Sequence, residues 1–390
     1  MPRATPLFTL SLAATLLMIG VGMIVALLPR RVLDFSGSLQ DVGYIASAFA
    51  ISYLLLQLPV GRLADRLGVK PFLLLGYVLC GLSGLIYVAA GSAEFIFLGR
   101  FIQGAGEAPI WALGPALLSL AYPHARGRAI GIYNAAIHLG LTLGPLLGIF
   151  LFASGGGTTP FLIFAGLCFA GASTLLFLQP AKAAATGHLV EQTPGLRQLA
   201  QILKAREPRL TLYGIFLYGA GYGIYVSVLP ASLSVEKGFD QVGVGVFFAL
   251  FYVAISASQL VIGPLSDRRG RQPYMIAGLL LVALGFASFI PLPYPWTYGP
   301  LTLASFGLGV FCVASLAYLT ESVPESLRAT VSGAYYLAWG FGYFSGPMIV
   351  GWSETLFTAS VGYLLYGGAA AVVALLFLTK RRSSVPKEKA

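Results

Sequence analysis

Gly61-Arg62-Leu63-Ala64-Asp65-Arg66-Leu67-Gly68-Val69-Lys70-Pro71 and Gly263-Pro264-Leu265-Ser266-Asp267-Arg268-Arg269-Gly270-Arg271-Gln272-Pro273 are two versions of one segment, displaced by 202 residues. The same displacement carries Arg126 onto Arg328, Gly131 onto Gly333, Tyr133 onto Tyr335, Gly140 onto Gly342 and Gly144-Pro145 onto Gly346-Pro347. A constant offset held over so many positions marks an internal duplication. The chain therefore divides into an N-terminal half (residues 1–180), a polar linker (181–208) and a C-terminal half (209–390) with a short basic tail. Leu196 to Ala205 in the linker reads as an amphipathic surface helix.

The composition sets the solvent. Of 390 residues, 57% are hydrophobic and only 10% charged, with a mean hydropathy of +0.83, so a folded chain could not cover itself with a polar surface. A soluble enzyme and a disordered protein are excluded. Cys80, Cys168 and Cys312 each sit in an apolar run, which gives neither a disulfide framework nor a metal-ligand cluster. A bilayer helix needs about 20 mainly apolar residues. Stretches 4–29, 42–61, 71–93, 210–235, 241–266, 329–353 and 355–379 each hold one span. Residues 129–181 hold two, broken at Ser154 to Pro160, and 272–320 hold two, broken at Pro291 to Pro295. A further helix from Glu94 to Ala121 carries Arg100 and Glu107, which completes an all-α integral membrane fold of twelve spans in two six-helix halves.

Twelve spans put both termini on one side. Of the 24 Lys and Arg, 20 fall in segments on that side, and only Arg30, Arg31 and Lys237 lie opposite. The positive-inside rule makes that side cytoplasmic, so the net charge of +10 is a topology signal and not a nucleic-acid footprint. Arg30 and Arg31 outnumber Arg3 across the first span, a local conflict that the other loops outvote. The first apolar run ends in Pro29-Arg30-Arg31 with no small-residue cleavage site, so it reads as a retained span. Basic loops also suit contact with membrane lipid.

Duplicated halves that face each other across a membrane are the architecture of alternating-access carriers, with the substrate near the midplane. The short segment from Gly61 to Lys70 reads as a loop between spans two and three, where glycine permits tight turns and Asp65 can cap a helix or pair with Arg. Its Gly, Asp-Arg pair, Gly and basic residues resemble the signature loop of the major facilitator superfamily. Asp267 and Arg268 look like the weaker second copy, while Val69 stands where a basic residue is usual and predicts a thinner charge network in the first. In the family, Gly61, Asp65, Arg66 and Gly68, with Asp267 and Arg268, would form the loop that gates the conformational change.

In span four, Arg100 and Glu107 are seven residues apart, which places them on one helix face about 10.5 Å apart along the axis, with Gln103 on the same stripe. Intramembrane charges cost about 2.5 to 3.5 kcal/mol each on insertion scales, and are functional candidates by default. The Arg-x-x-Gln-Gly pattern is similar to the span-four motif of the superfamily's proton-coupled exporters, which implies a proton-coupling role for Arg100. Glu107, at mid-membrane depth, is either a proton-exchange site or a neutral hydrogen-bonding residue. The second half has Thr302 and Gly309 at these places, so the chemistry is expected to be lopsided.

Span five carries Gly140, Gly144, Pro145 and Gly148, similar to the glycine-proline motif of the same exporters. The motif predicts either a hinge or a tight seal between helices. Asn134, His138 and Thr142 recur at steps of four and form a polar stripe. In the second half, Tyr218, Tyr222 and Tyr225 of span seven, and Tyr336, Trp339 and Tyr343 of span eleven, each share a helix face. They are expected either to line a cavity for ring-bearing or amphiphilic compounds or to pack between helices. Tyr294, Trp296 and Tyr298 suit an outer interfacial belt.

No nucleotide-binding loop is present, and no cluster of acids or histidines suits an embedded hydrolase. The expected protein is a carrier and not an enzyme, with no cofactor and no metal. It would take a small-molecule substrate and protons and act as a monomer in the plasma (inner) membrane. The resemblance implies export of a drug or metabolite against proton entry. A proton-linked importer or facilitator of a sugar or organic acid, or an amphiphile-flipping carrier, would use the same residues.

Overall fold

The structure is a computed structural model that describes residues 5–122, 126–155, 157–178, 204–322 and 328–379. Residues 179–203, which hold most of the predicted linker and nearly all of its surface helix, lie outside the described residues. Among the described residues fourteen helices follow in order: α1 (Pro6–Val25), α2 (Leu28–Ser36), α3 (Leu39–Leu67), α4 (Val69–Ala89), α5 (Ala93–Ala121), α6 (Arg126–Gly155), α7 (Thr159–Leu176), α8 (Arg206–Val226), α9 (Val228–Lys237), α10 (Gln241–Arg269), α11 (Gln272–Ser288), α12 (Tyr298–Glu321), α13 (Arg328–Leu356) and α14 (Ala359–Leu378). The twelve long ones match the twelve spans. The short α2 and α9 extend the first span of each half, after breaks near Ala26 and Ser227.

Among the described residues, eight helices, or nine if α8 and α9 are one span bent by 48°, are long and apolar enough to cross a membrane. The three that fall short have local reasons. α5 carries Arg100, Gln103 and Glu107, α13 is rich in glycine, serine and aromatic hydroxyls, and α11 has 17 residues. Two of these three line the interface between the halves, where their polar groups meet partners.

The helix ends follow from local chemistry. Ser38 and Asp240 cap α3 and α10 by accepting from the backbone N–H of Asp41 and Gly243. Gly37 and Gly238 close α2 and α9 in the left-handed region, at φ of 67° and 70°. Pro59, Pro109, Pro145 and Pro347 sit inside their helices without ending them.

The expected loop after span two is nearly all helix. α3 runs through Gly61 and Asp65 to Leu67, and α4 starts at Val69, so Gly68 alone makes the turn, with φ 87° and ψ 158°. Its duplicate Gly270 has φ 86° and ψ 155°. Positive φ is accessible to glycine at no steric cost, so one residue turns the chain between two long helices.

Each half repeats one packing scheme: α1 on α6, α3 on α5, α4 on α5 and α4 on α7 in the first, and α8 on α13, α10 on α12, α11 on α12 and α11 on α14 in the second. Between halves, α3 packs on α13 and α6 on α10. The α3–α13 seam lies toward the face opposite the basic segments. There, a Cβ on Gly43 would lie 2.8 Å from the Pro347 carbonyl oxygen, and one on Gly351 would lie 3.0 Å from Gln40 Cα. Ser47 Oγ donates to the Phe344 carbonyl at 2.7 Å and Trp352 Nε1 to the Tyr44 hydroxyl at 3.2 Å. On the same face, α2 and α9 flank a cleft of about 350 Å³. Arg31, half of the local charge conflict, has a structural task. It donates to the Ala90 carbonyl at 3.1 Å and lies 5.0 Å from the centre of the Phe161 ring, which ties α2 to α4 and α7.

Candidate functional site

α5 presents Arg100, Gln103 and Glu107 on one face, as their spacing predicts, and all three are buried, at 3%, 0% and 4% exposure. They form a continuous chain of hydrogen bonds. Arg100 Nη1 donates to Gln103 Oε1 at 3.1 Å, and Gln103 Nε2 donates to Glu107 Oε1 at 2.8 Å. The Tyr87 hydroxyl also donates to Gln103 Oε1, at 2.8 Å, and Trp111 Nε1 donates to Glu107 Oε2 at 3.0 Å. Arg100 is therefore no snorkelling surface cation. Its Nε reaches the Ile45 carbonyl at 3.3 Å, its Nη2 the Tyr343 hydroxyl of the other half at 3.2 Å, and its guanidinium stands 4.6 Å from the centre of the Phe49 ring.

Glu107 keeps free acceptor capacity, because an ionised carboxylate has about four lone-pair sites and only two donors are in place. The α5 backbone can come this close to α3 and α4 because small residues flank the charged ones. A Cβ on Gly106 would lie 2.6 Å from the Gly76 carbonyl oxygen.

The second half meets this chain with rings. Trp339 stacks on Tyr343 at 5.1 Å between centroids, Tyr222 lies 6.0 Å from Trp339 and 6.3 Å from Tyr343, and Tyr53 of α3 approaches Trp339 at 6.2 Å. Tyr222, Trp339 and Tyr343 thus gather at the interface between halves, around the cross-half bond of Arg100. Tyr336 lies one turn nearer the basic face and is 47% exposed.

Tyr225 goes elsewhere. Its ring stacks on Phe247 and Phe251 at 5.5 and 4.6 Å, and its hydroxyl donates to the Leu301 carbonyl at 2.6 Å, which places it in the core of the second half and not on a cavity wall. Tyr218 is also buried, beside Cys312. The polar stripe of α6 separates in the same way. Asn134 is exposed, and Thr142 returns its hydroxyl to the His138 carbonyl at 2.8 Å. His138 faces the other half, beside Gln259 of α10, and its Nδ1 is buried without a hydrogen-bond partner.

Gly140, Gly144 and Gly148 bring α6 onto α1 within the first half. A Cβ on Gly144 would collide with the Ile19 carbonyl oxygen, and one on Gly148 would lie 3.1 Å from Met23 Cα. The Pro145 ring packs against Gly22. α6 is continuous through the proline and lies close against α1 along this motif.

At the basic face, the second copy of the duplicated segment carries ion pairs. Arg271, the counterpart of Val69, pairs with Asp267 and, at 3.0 Å, with Glu321, and donates to Ser266 Oγ at 2.8 Å. These partners hold its guanidinium above the usual arginine range against a desolvation that works the other way. Val69 is buried and Arg66 and Arg268 are exposed. Arg271 stands where the first copy has Val69, and among the described residues it is the centre of this cluster.

Tyr87, Trp111, Phe49 and Tyr53 also escaped the sequence reading. Trp111 was within reach of it, standing four residues after Glu107 on the same face. Tyr87 and Phe49 are single aromatics in apolar runs, with no local signal.

Comparison with known proteins gives one consistent picture. The family described as Major Facilitator Superfamily matches residues 10–347 and 211–390. A probable sulfoacetate transporter, SauU of Cupriavidus necator, is 26% identical over 76% of this chain and 72% of its own length. The quinolone resistance protein NorA of Staphylococcus aureus is 24% identical over 98% of each chain. The crystal structure of the nucleoside transporter NupG superposes with a TM-score of 0.75 at 16% identity, over 96% of this chain and 98% of its own, a likeness of fold.

Proposed function

The chain belongs to the major facilitator superfamily of membrane transporters, and from that premise we propose that it exports a small organic compound in exchange for protons by alternating access. The observation that carries this reading is the buried chain Arg100–Gln103–Glu107. It sets one buried carboxylate, with acceptor capacity to spare, beside the ring-lined interface of the two halves. Glu107 takes the proton, and Arg100 links that site to Tyr343 across the interface. Tyr222, Trp339, Tyr343 and Tyr336 offer flat apolar faces with polar edges, which suits a ring-bearing or amphiphilic substrate. Gln103 is spent on holding Glu107 and acts as support, with His138 the remaining polar candidate for substrate contact.

The basic face is cytoplasmic in this reading, both termini are inside, the membrane is the plasma membrane, and the carrier works as a monomer. The seam of Gly43, Ser47, Pro347 and Gly351 then closes the outer side, as in an inward-open carrier. Gly68 and Gly270, with Asp65, Arg66, Asp267 and Arg268, belong to the segments that shift as the halves rock. The names of two relatives, a quinolone resistance protein and a probable sulfoacetate transporter, support a small organic compound as the substrate.

The test is thermal stability of the purified protein against a panel of metabolites and drugs at about pH 6 and 8, with Glu107→Gln in parallel. A compound present at about 100 times its Kd adds about 2.7 kcal/mol, enough to register. Stabilisation that depends on pH in wild type and loses that dependence in Glu107→Gln is expected. Compounds that stabilise regardless of pH and of Glu107 would make the protein a facilitator.

A further inference from the structure

Glu107 is met by one donor on each oxygen, and the two donors are not equally free to leave. Gln103, which donates to Oε1, is fully buried, and its own amide oxygen accepts from both Arg100 Nη1 and the Tyr87 hydroxyl. Turning the amide over would set its NH2 group against those two donors and its oxygen against the carboxylate. The Gln103 N–H therefore stays on Oε1 whether Glu107 is charged or neutral. Trp111, which donates to Oε2, is half-buried and one helical turn closer to the basic face.

A neutral carboxyl carries one O–H. With Oε1 facing a donor that cannot turn away, the proton belongs on Oε2, where it meets the indole N–H. The hydroxyl oxygen of a neutral carboxyl is a much weaker acceptor than a carboxylate oxygen, so the bond from the indole is the one that is lost, and Trp111 is the donor able to move.

We propose that Trp111 is the positioning residue that passes the protonation of Glu107 to the transport pathway. Its indole is held on Oε2 while the carboxylate is charged and released when a proton arrives. The proton binds Oε2 and the Trp111 N–H···O bond breaks, with no other bond changed. The inference rests on the reading that Glu107 exchanges the transported proton. The other groups that face Glu107 do not compete for that proton. Arg100 stays charged, while Tyr77, Cys80 and Tyr87 of α4, Tyr53 of α3, Cys168 of α7 and, across the interface, Tyr222, Tyr252 and Tyr343 are thiols and phenols that carry no charge near neutral pH.

The test uses the full chain labelled with 5-fluorotryptophan, which gives resonances for Trp111, Trp296, Trp339 and Trp352 in fluorine NMR. Trp111→Phe assigns the Trp111 line, and Trp111→Tyr serves if the first variant does not fold. The Trp111 resonance is expected to move with pH in wild type and to stand still in Glu107→Gln. In proteoliposomes, Trp111→Phe should raise the pH of half-maximal gradient-driven flux by about one unit, because a donor to the charged form has been removed. A Trp111 resonance that ignores pH, in a protein whose flux still depends on pH and on Glu107, overturns this proposal and leaves proton exchange at Glu107 standing. Flux indifferent to pH and to Glu107→Gln overturns the exchange reading, and this proposal with it.

Discussion

The two halves share a backbone and divide the chemistry. Gly68 and Gly270 turn with nearly the same φ and ψ, and Gly144-Pro145 seats α6 on α1 as Gly346-Pro347 seats α13 on α8. On this common frame, α5 carries Arg100, Gln103 and Glu107, and α12 carries Thr302, Ser305 and Gly309 at the same places. Ser305 turns its hydroxyl back to the Leu301 carbonyl of its own helix at 2.8 Å, and Gly309 is pressed against Ser258 and Ile255 of α10, where no longer side chain fits. The second half instead supplies rings at the interface and the Arg271 ion-pair cluster at the basic face. The lesson is that duplication fixes where helices touch, whereas close packing at single positions decides which copy can hold a charge.

The comparison can be broken at the position where the halves differ most. Gly309→Glu copies Glu107 into the second half, but its Cβ would lie 2.8 Å from the Ile255 carbonyl oxygen and collide with Ser258. Loss of monodisperse folded protein in size-exclusion chromatography is expected, and a well-folded variant would show that α10 and α12 are not rigidly seated. In the reverse direction, Arg100→Thr copies Thr302 into the first half and leaves Glu107 without its buried cation. The two are joined through Gln103, so the loss is the buried hydrogen bonds of Arg100 to Gln103, Ile45 and Tyr343, about 1.5–3 kcal/mol for each bond to a charged group, with the nearby counter-charge. A marked fall in Tm should follow, smaller at low pH, where a neutral Glu107 no longer needs a counter-charge.

The shared frame predicts matched effects instead. Gly144→Ala and Gly346→Ala should each destabilise by about 1–3 kcal/mol, since each new Cβ meets the backbone of the neighbouring helix. Thermal melts of the two variants side by side would expose a large inequality if the halves were not packed alike. The smallest effect belongs to Arg271→Val, which copies Val69. Its acidic partners are more than half exposed, so the cluster contributes about 0.2–1 kcal/mol, and the difference from wild type should shrink in concentrated salt.

Much of this was legible in the sequence because membrane folds limit the options. Charge-free stretches place twelve helices, and the 202-residue shift pairs them. Arg100, Gln103 and Glu107 were legible because charges in a span are costly and seven-residue spacing returns to one face. Periodicity, however, gives the direction of a side chain and not what covers it. Tyr222 and Tyr225 share a face of α8, yet at the depth of Tyr225 that face is covered by Phe247 and Phe251 of α10. Turn signals also over-read Gly61 as loop, since a glycine and a run of charges are compatible with a helix end that has left the bilayer. Tyr87 and Phe49 were illegible for another reason, because their partners lie on α5 and only the tertiary fold brings them together.

The central claim is that a proton on Glu107 drives the cycle. The most direct measurement is flux in proteoliposomes of a compound that stabilises the purified protein, under an imposed proton gradient, for wild type and Glu107→Gln. The account predicts gradient-driven flux in wild type, a loss on the order of 100-fold in Glu107→Gln, and retained exchange of labelled for unlabelled compound in both. Gradient-driven flux that survives Glu107→Gln undiminished would contradict it.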